Sequence, residues 1–216
     1  MPPTDTIAAL QTRALRLEYA TIAWNVGEAF LTIALGAVAG SVALIGFGTV
    51  SVVEVFASSV VVWHLRKTRD GDVANVTGLA LRLIAMAFAV LAIAVFAVAL
   101  RDLTSGRRAG GSPFGIGYLA ITAMVMFGLA VAKRRVASGL RSEPLASEAT
   151  VTFLDGVLSV STLAGLALNA YLGWWWADPV AGMVVAVFAL NEGRESLAEA
   201  GAMSASQVGP HLDDDR

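Results

Sequence analysis

Residues 43–63 read ALIGFGTVSVVEVFASSVVVW, an unbroken apolar and small-residue run with one ionisable side chain, Glu54, near its centre. Few folded environments accept such a run. An apolar helix of about 20 residues spans the ~30 Å hydrocarbon layer of a bilayer. The run extends over roughly 42–65, and five more blocks of similar character lie at about 17–39, 77–100, 114–132, 149–173 and 177–198. Charged residues are 15% of the chain and hydrophobic ones 56%, against about 25% charged in a soluble domain. A soluble core accommodates one such block, not six in succession. The pattern predicts an all-α membrane protein: six transmembrane helices over residues 1–200 and a short polar tail over 201–216 that is expected to fray.

Lysines and arginines near the ends of the blocks set the expected orientation. Arg13, Arg16, Arg66, Lys67, Arg69, Lys133, Arg134, Arg135, Arg141, Arg194 and Arg216 fall on one side, and only Arg101, Arg107 and Arg108 on the other. This bias predicts cytoplasmic termini and a multi-pass protein of the cell membrane. Trp174, Trp175 and Trp176 would then anchor at the outer headgroup level.

Other classes find little support. The first residues, MPPTDTIAALQTRALRLEY, lack the short apolar core and cleavage site of a secretory leader, so none is expected. The chain has no cysteine, which removes disulfides and thiolate metal sites. No nucleophile elbow, phosphate loop or nucleic-acid signature is present, and RRAGGSP (107–113) reads as an outer turn. The expectation is a non-enzyme with no cofactor and no nucleic-acid partner, whose surroundings are the lipid bilayer.

The informative residues are the acids inside the blocks: Glu28, Glu54 and Asp155. A carboxylate at the bilayer centre costs on the order of 3 kcal/mol on insertion scales, and such groups mark ion paths or proton relays. Side chains three and four apart share a helix face. Thr21, Asn25, Glu28 and Thr32 form one stripe, Ser51, Glu54 and Ser58 a second, and Thr152, Asp155, Ser159 and Thr162 a third. Gly46, Gly48, Gly156 and Gly165 would let helices approach closely. Three polar faces turned toward one another would build a polar cavity away from lipid. The bland alternative is structural: Arg82, inside the third block, pairs with Glu54 or Asp155, or the acids are protonated and bridge helices. Arg82 could instead snorkel to the interface.

Three segments carry a family resemblance. GSVALIGFGTVSVVEVFASSVVVW (40–63) resembles the cation diffusion facilitators, in which a G-S-x-A-L run leads into H/D-x-x-x-D. ASEATVTFLDGVLSVSTLAGLAL (146–168) resembles their fifth span, with its acid-A-x-H-x-x-x-D-x-x-x-S pattern. GWWWADPVAGMVVAVFAL (173–190) is similar to their turn between spans 5 and 6. The resemblance implies a homodimeric exporter of divalent metal, often zinc, working by exchange with protons. It implies four metal ligands, two each on spans 2 and 5. By position Glu54 and Asp155 are the second of each pair, and the first of each are Val50 and Val151, which donate nothing. Glu28 is the candidate third ligand, with Asn25 as an auxiliary group. An all-oxygen site leans toward harder ions such as Mn²⁺ or Mg²⁺. The family's usual C-terminal cytoplasmic domain is not expected, because the sequence ends at Arg216. The two missing donors also leave open a non-transporting relative that acts as a membrane scaffold or modulator.

The remaining candidates have plainer readings. His64 is expected at the membrane interface, and His211 with Asp213, Asp214 and Asp215 in a solvated tail. Glu148, on the Asp155 face, is expected near the inner mouth, attracting cations or starting its helix. Asp178 before Pro179 reads as a helix N-cap with proline in the first helical position.

Overall fold

The computed structural model describes residues 4–39, 42–67, 73–106 and 113–208. It contains six helices: α1 (Thr4–Ala39), α2 (Val42–Lys67), α3 (Val73–Ser105), α4 (Pro113–Leu140), α5 (Glu143–Leu172) and α6 (Ala177–Val208). No strand occurs among the described residues. His211, the three terminal aspartates, Arg69, the 107–112 turn and the side-chain surroundings of Gly46 lie outside the described residues.

Local chemistry accounts for the breaks. Prolines sit where helices begin: Pro113 opens α4, and Pro144 and Pro179 fall in the first turns of α5 and α6, where a missing N–H forfeits no helical bond. The α4–α5 connection is a tight reversal. Ser142 N–H donates to Ala137 O at 3.1 Å, and Arg141 takes φ +52° to allow it. This is the bond pattern of a Schellman stop, with arginine where glycine is usual. The helix α6 starts earlier than the sequence reading placed it. Val180 N–H donates to Trp176 O at 3.1 Å, so Trp176 holds the cap position and Asp178 lies inside the first turn. The helix also continues to Val208, so the part of the tail expected to fray is helical that far.

Four helices form a closed ring in which α1 packs on α2, α2 on α5, α5 on α4 and α4 on α1, and among the described residues the backbones of neither diagonal pair approach each other. The α3 and α6 helices pack extensively on each other and dock on the α2–α5 side. The bundle is polar inside the ring and apolar on its outer surface. Glu18, Glu54 and Lys133 are 0% exposed, while Phe30 is 77%, Ile93 68% and Met124 67% exposed. Water would reverse that arrangement; hydrocarbon favours it. Two helical segments, Gly48–Lys67 and Asn75–Ser105, are long and apolar enough on their own to cross a membrane. The four others mix lipid-type faces with polar ones.

Glycines set the closest approaches. A β-carbon at Gly48 would lie 2.5 Å from Ile33 Cγ1 and 2.6 Å from Thr32 Oγ1 of α1. One at Gly156 would meet the Phe127 ring of α4 at 3.0 Å. One at Gly165 would overlap the Asp178 Cβ and lie 3.0 Å from its Cα and 3.1 Å from its backbone nitrogen. The start of α6 is thus seated on α5 backbone to backbone. Gly165→Ala is therefore expected to cost about 1–3 kcal/mol, the usual cost of overpacking, because a backbone cannot swing aside. Gly128→Ala in α4, with nothing within 4 Å of the added carbon, is expected to be neutral or slightly stabilising. Thermal unfolding of the two variants in detergent checks the contrast.

Candidate functional site: a polar ring interior

The stripes read from the sequence all turn inward. Thr21, Asn25, Glu28 and Thr32 of α1, Ser51, Glu54 and Ser58 of α2, and Thr152, Asp155 and Ser159 of α5 are buried. Thr162, the last member of the third stripe, is half-buried. Two hydrogen-bonded layers organise this interior.

The first layer centres on Glu28. Its Oε2 accepts from Ser51 Oγ at 3.0 Å, and its Oε1 from Tyr118 OH at 2.8 Å and Thr122 Oγ1 at 3.2 Å. One carboxylate thereby ties α1 to α2 and α4. Three donors to one carboxylate stabilise its charged form.

The second layer centres on Lys133 and joins all four ring helices. Lys133 Nζ donates to both Glu148 oxygens at 2.7 Å and to Thr152 Oγ1 at 3.1 Å, and lies 3.3 Å from Glu18 Oε2. Ser58 Oγ donates to Glu148 Oε1 at 2.7 Å. Lys133, Glu18 and Glu148 are all 0% exposed. Three sequence expectations are corrected here. Lys133 is a core cation, not a loop charge, because two buried carboxylates hold it. Glu148 is enclosed by these donors and does not line a mouth. Arg82 is exposed, and the cation acting on Glu54 is Lys133.

Glu54 and Asp155 lie between the layers. Glu54 is three residues beyond Ser51 and four before Ser58, about 5 Å along α2 from each. Asp155 is two turns beyond Glu148, about 10 Å along α5. The two carboxylates have no hydrogen-bond partner among the described residues. Their electrical surroundings differ. Glu54 feels attraction from Lys133 and repulsion from Glu148 and Glu28. Asp155 feels only repulsion, from Glu54 and Glu28. Asn25 Nδ2 donates to Thr21 O at 3.1 Å, which leaves Oδ1 unpartnered, as is Ser159 Oγ. Among the described residues no three acidic or histidine side chains stand close enough to hold one metal ion. Val50 and Val151 are buried in the apolar core between the same helices.

Outside the ring, His64 is also corrected. It is buried, and its Nε2 lies 3.0 Å from Thr77 Oγ1, joining α2 to α3. Arg66 hydrogen-bonds Tyr19 OH and stands 5.8 Å from that ring's centroid, closing the end of the α1–α2 pair. Trp174 and Trp176 stack with centroids 5.4 Å apart and remain partly exposed.

The layers generate a prediction of sign. Tyr118→Phe removes a donor from a buried carboxylate and is expected to destabilise by about 1–3 kcal/mol. Asp155→Asn removes a carboxylate surrounded by like charges and is expected to raise Tm, with Glu54→Gln giving a smaller gain because Lys133 attracts Glu54. Thermal unfolding in detergent at neutral pH reads all three.

The family model of the cation efflux transmembrane domain matches residues 19–203. No curated protein matches the chain. The family match runs from within α1 to within α6 and takes in the inward faces that carry Glu28, Glu54, Lys133 and Asp155; the chain belongs to the cation efflux family, membrane proteins that transport metal cations.

Proposed function

We propose that this protein exports a divalent metal cation in exchange for protons. The observation that carries the reading is the pair of carboxylates, Glu54 and Asp155, buried on the adjoining helices α2 and α5 without a hydrogen-bond partner. A buried polar group without a partner is costly. A cation between the two would supply the missing charge to both, and to Asp155 above all, whose neighbours are all repulsive.

In this reading Glu54 and Asp155 bind the ion, and Glu28 and Asn25 assist from α1. Oxygen donors alone favour a hard ion such as Mn²⁺, with Zn²⁺ held less well. Protons compete for the same carboxylates, so metal entry releases protons and acid weakens metal binding. Six helices span the cell membrane with both termini in the cytoplasm, and two copies pair as a homodimer. Rocking of the ring helices opens the pair to each side in turn. A second reading has one observation in its favour. Val50 and Val151 pack in the apolar core where the family resemblance expects metal donors, as suits a relative that no longer transports and serves as a membrane scaffold.

A pH-sensitive dye inside proteoliposomes decides between them, with zinc, manganese, cobalt, iron or magnesium added outside. The transporter reading expects metal-driven proton movement in the wild type, lost in Glu54→Gln and Asp155→Asn and only weakened in Glu28→Gln. Absence of proton movement with every metal favours the scaffold.

The valines give an independent check. The double variant with Val50→Asp and Val151→His adds donors one helical turn from each carboxylate. It is expected to bind zinc at least tenfold more tightly than wild type, about 1.4 kcal/mol, by isothermal titration. Unchanged affinity would mean that α2 and α5 do not share a metal site.

A further inference from the structure

The Lys133 layer has the composition of a cation site. Four oxygens lie within 3.3 Å of the ammonium: both oxygens of Glu148, Thr152 Oγ1 and Glu18 Oε2. They come from α1 and α5, while Ser58 of α2 orients Glu148. An ordinary ion pair needs one carboxylate for one ammonium, and here there are two. Glu18 is 0% exposed, and beyond its ion pair with Lys133 neither of its oxygens meets the geometry of a hydrogen bond among the described residues. The ammonium is a compact, strongly hydrated point charge, chemically close to a small hard ion.

We propose that Glu18, Ser58, Glu148 and Thr152 form a second cation site in the ring, which Lys133 fills as a tethered ammonium in place of a free ion. The ligand class is a hard cation, Mg²⁺ or Mn²⁺, because every donor is oxygen. The tether keeps the site occupied at every step, so a cation passing through the ring meets one vacant position, not two. That consequence rests on Glu54 and Asp155 being the transport ligands, whereas the second site itself does not.

The test is thermal unfolding of the full-length protein in detergent. Every variant also carries Glu54→Gln and Asp155→Asn, so that no cation response arises from that pair. Adding Lys133→Ala is expected to lower Tm by roughly 10 °C, the effect of stripping one partner from a buried pair in a chain of this size. Millimolar Mg²⁺ or Mn²⁺ is expected to restore most of the loss, with no response in the parent. Adding Glu148→Gln as well should abolish the restoration. The proposal fails if Lys133→Ala shows no cation response at neutral pH, or if the response survives Glu148→Gln. Should Lys133→Ala not accumulate in the membrane, its yield is compared between cells grown with and without excess magnesium or manganese. Yield must rise with the cation, and a yield indifferent to both ions equally overturns the proposal.

Discussion

The ion pair between Lys133 and Glu148 is the constraint around which the ring closes. Stranding either charge in a dry interior costs several kcal/mol, so α4 and α5 must stay in the register that joins them. Ser58 then fixes α2 against Glu148, and Glu18 fixes α1 against Lys133. With four helices bound at one level, Glu28 can bind Ser51, Tyr118 and Thr122 at the next. Glu54 and Asp155 sit between these two layers, and neither takes a hydrogen bond from the scaffold among the described residues.

The same division explains the apolar exterior. Side chains that would be buried in a soluble protein, such as Phe30 and Ile93, face outward, and the charges that would normally face water are gathered inside. Small residues at Gly48, Gly156 and Gly165 let the backbones close around those charges. Helix contact of this kind rests on packing and hydrogen bonds rather than on exclusion of water.

Much of this was legible in the sequence. Block length and periodicity gave the helices and the inward stripes, because a helix that hides carboxylates from lipid must collect them on one face. The paired role of Lys133 was not legible, since Lys133 stands beside Arg134 and Arg135 and reads as part of a loop. Only the structure shows α4 continuing to Leu140, which puts Lys133 two turns inside the helix. Glu18 and Glu148 were within reach: each extends its stripe by one more turn, at the i−3 or i−4 position from Thr21 or Thr152. The Asp178 boundary was missed because an Asp-Pro pair fits the first turn of a helix nearly as well as its cap. The donor–acceptor pairs between helices depend on tertiary register, which a single sequence does not encode locally.

The tight Arg141–Ser142 reversal bears on how such a chain enters a membrane at all. Lys133 and Glu148 occupy the two arms of one helical hairpin, and their short separation in sequence lets them meet before any other helix arrives. A lone lysine or glutamate entering hydrocarbon is opposed by the full cost of dehydrating its charge. In the α4–α5 hairpin the Lys133–Glu148 pair can instead cross the interface already bonded, its two charges offsetting each other. The Glu28–Ser51 bond gives α1 and α2 a smaller version of the same advantage. The placement of these charges along the chain favours entry by hairpins, with the ring closed afterwards.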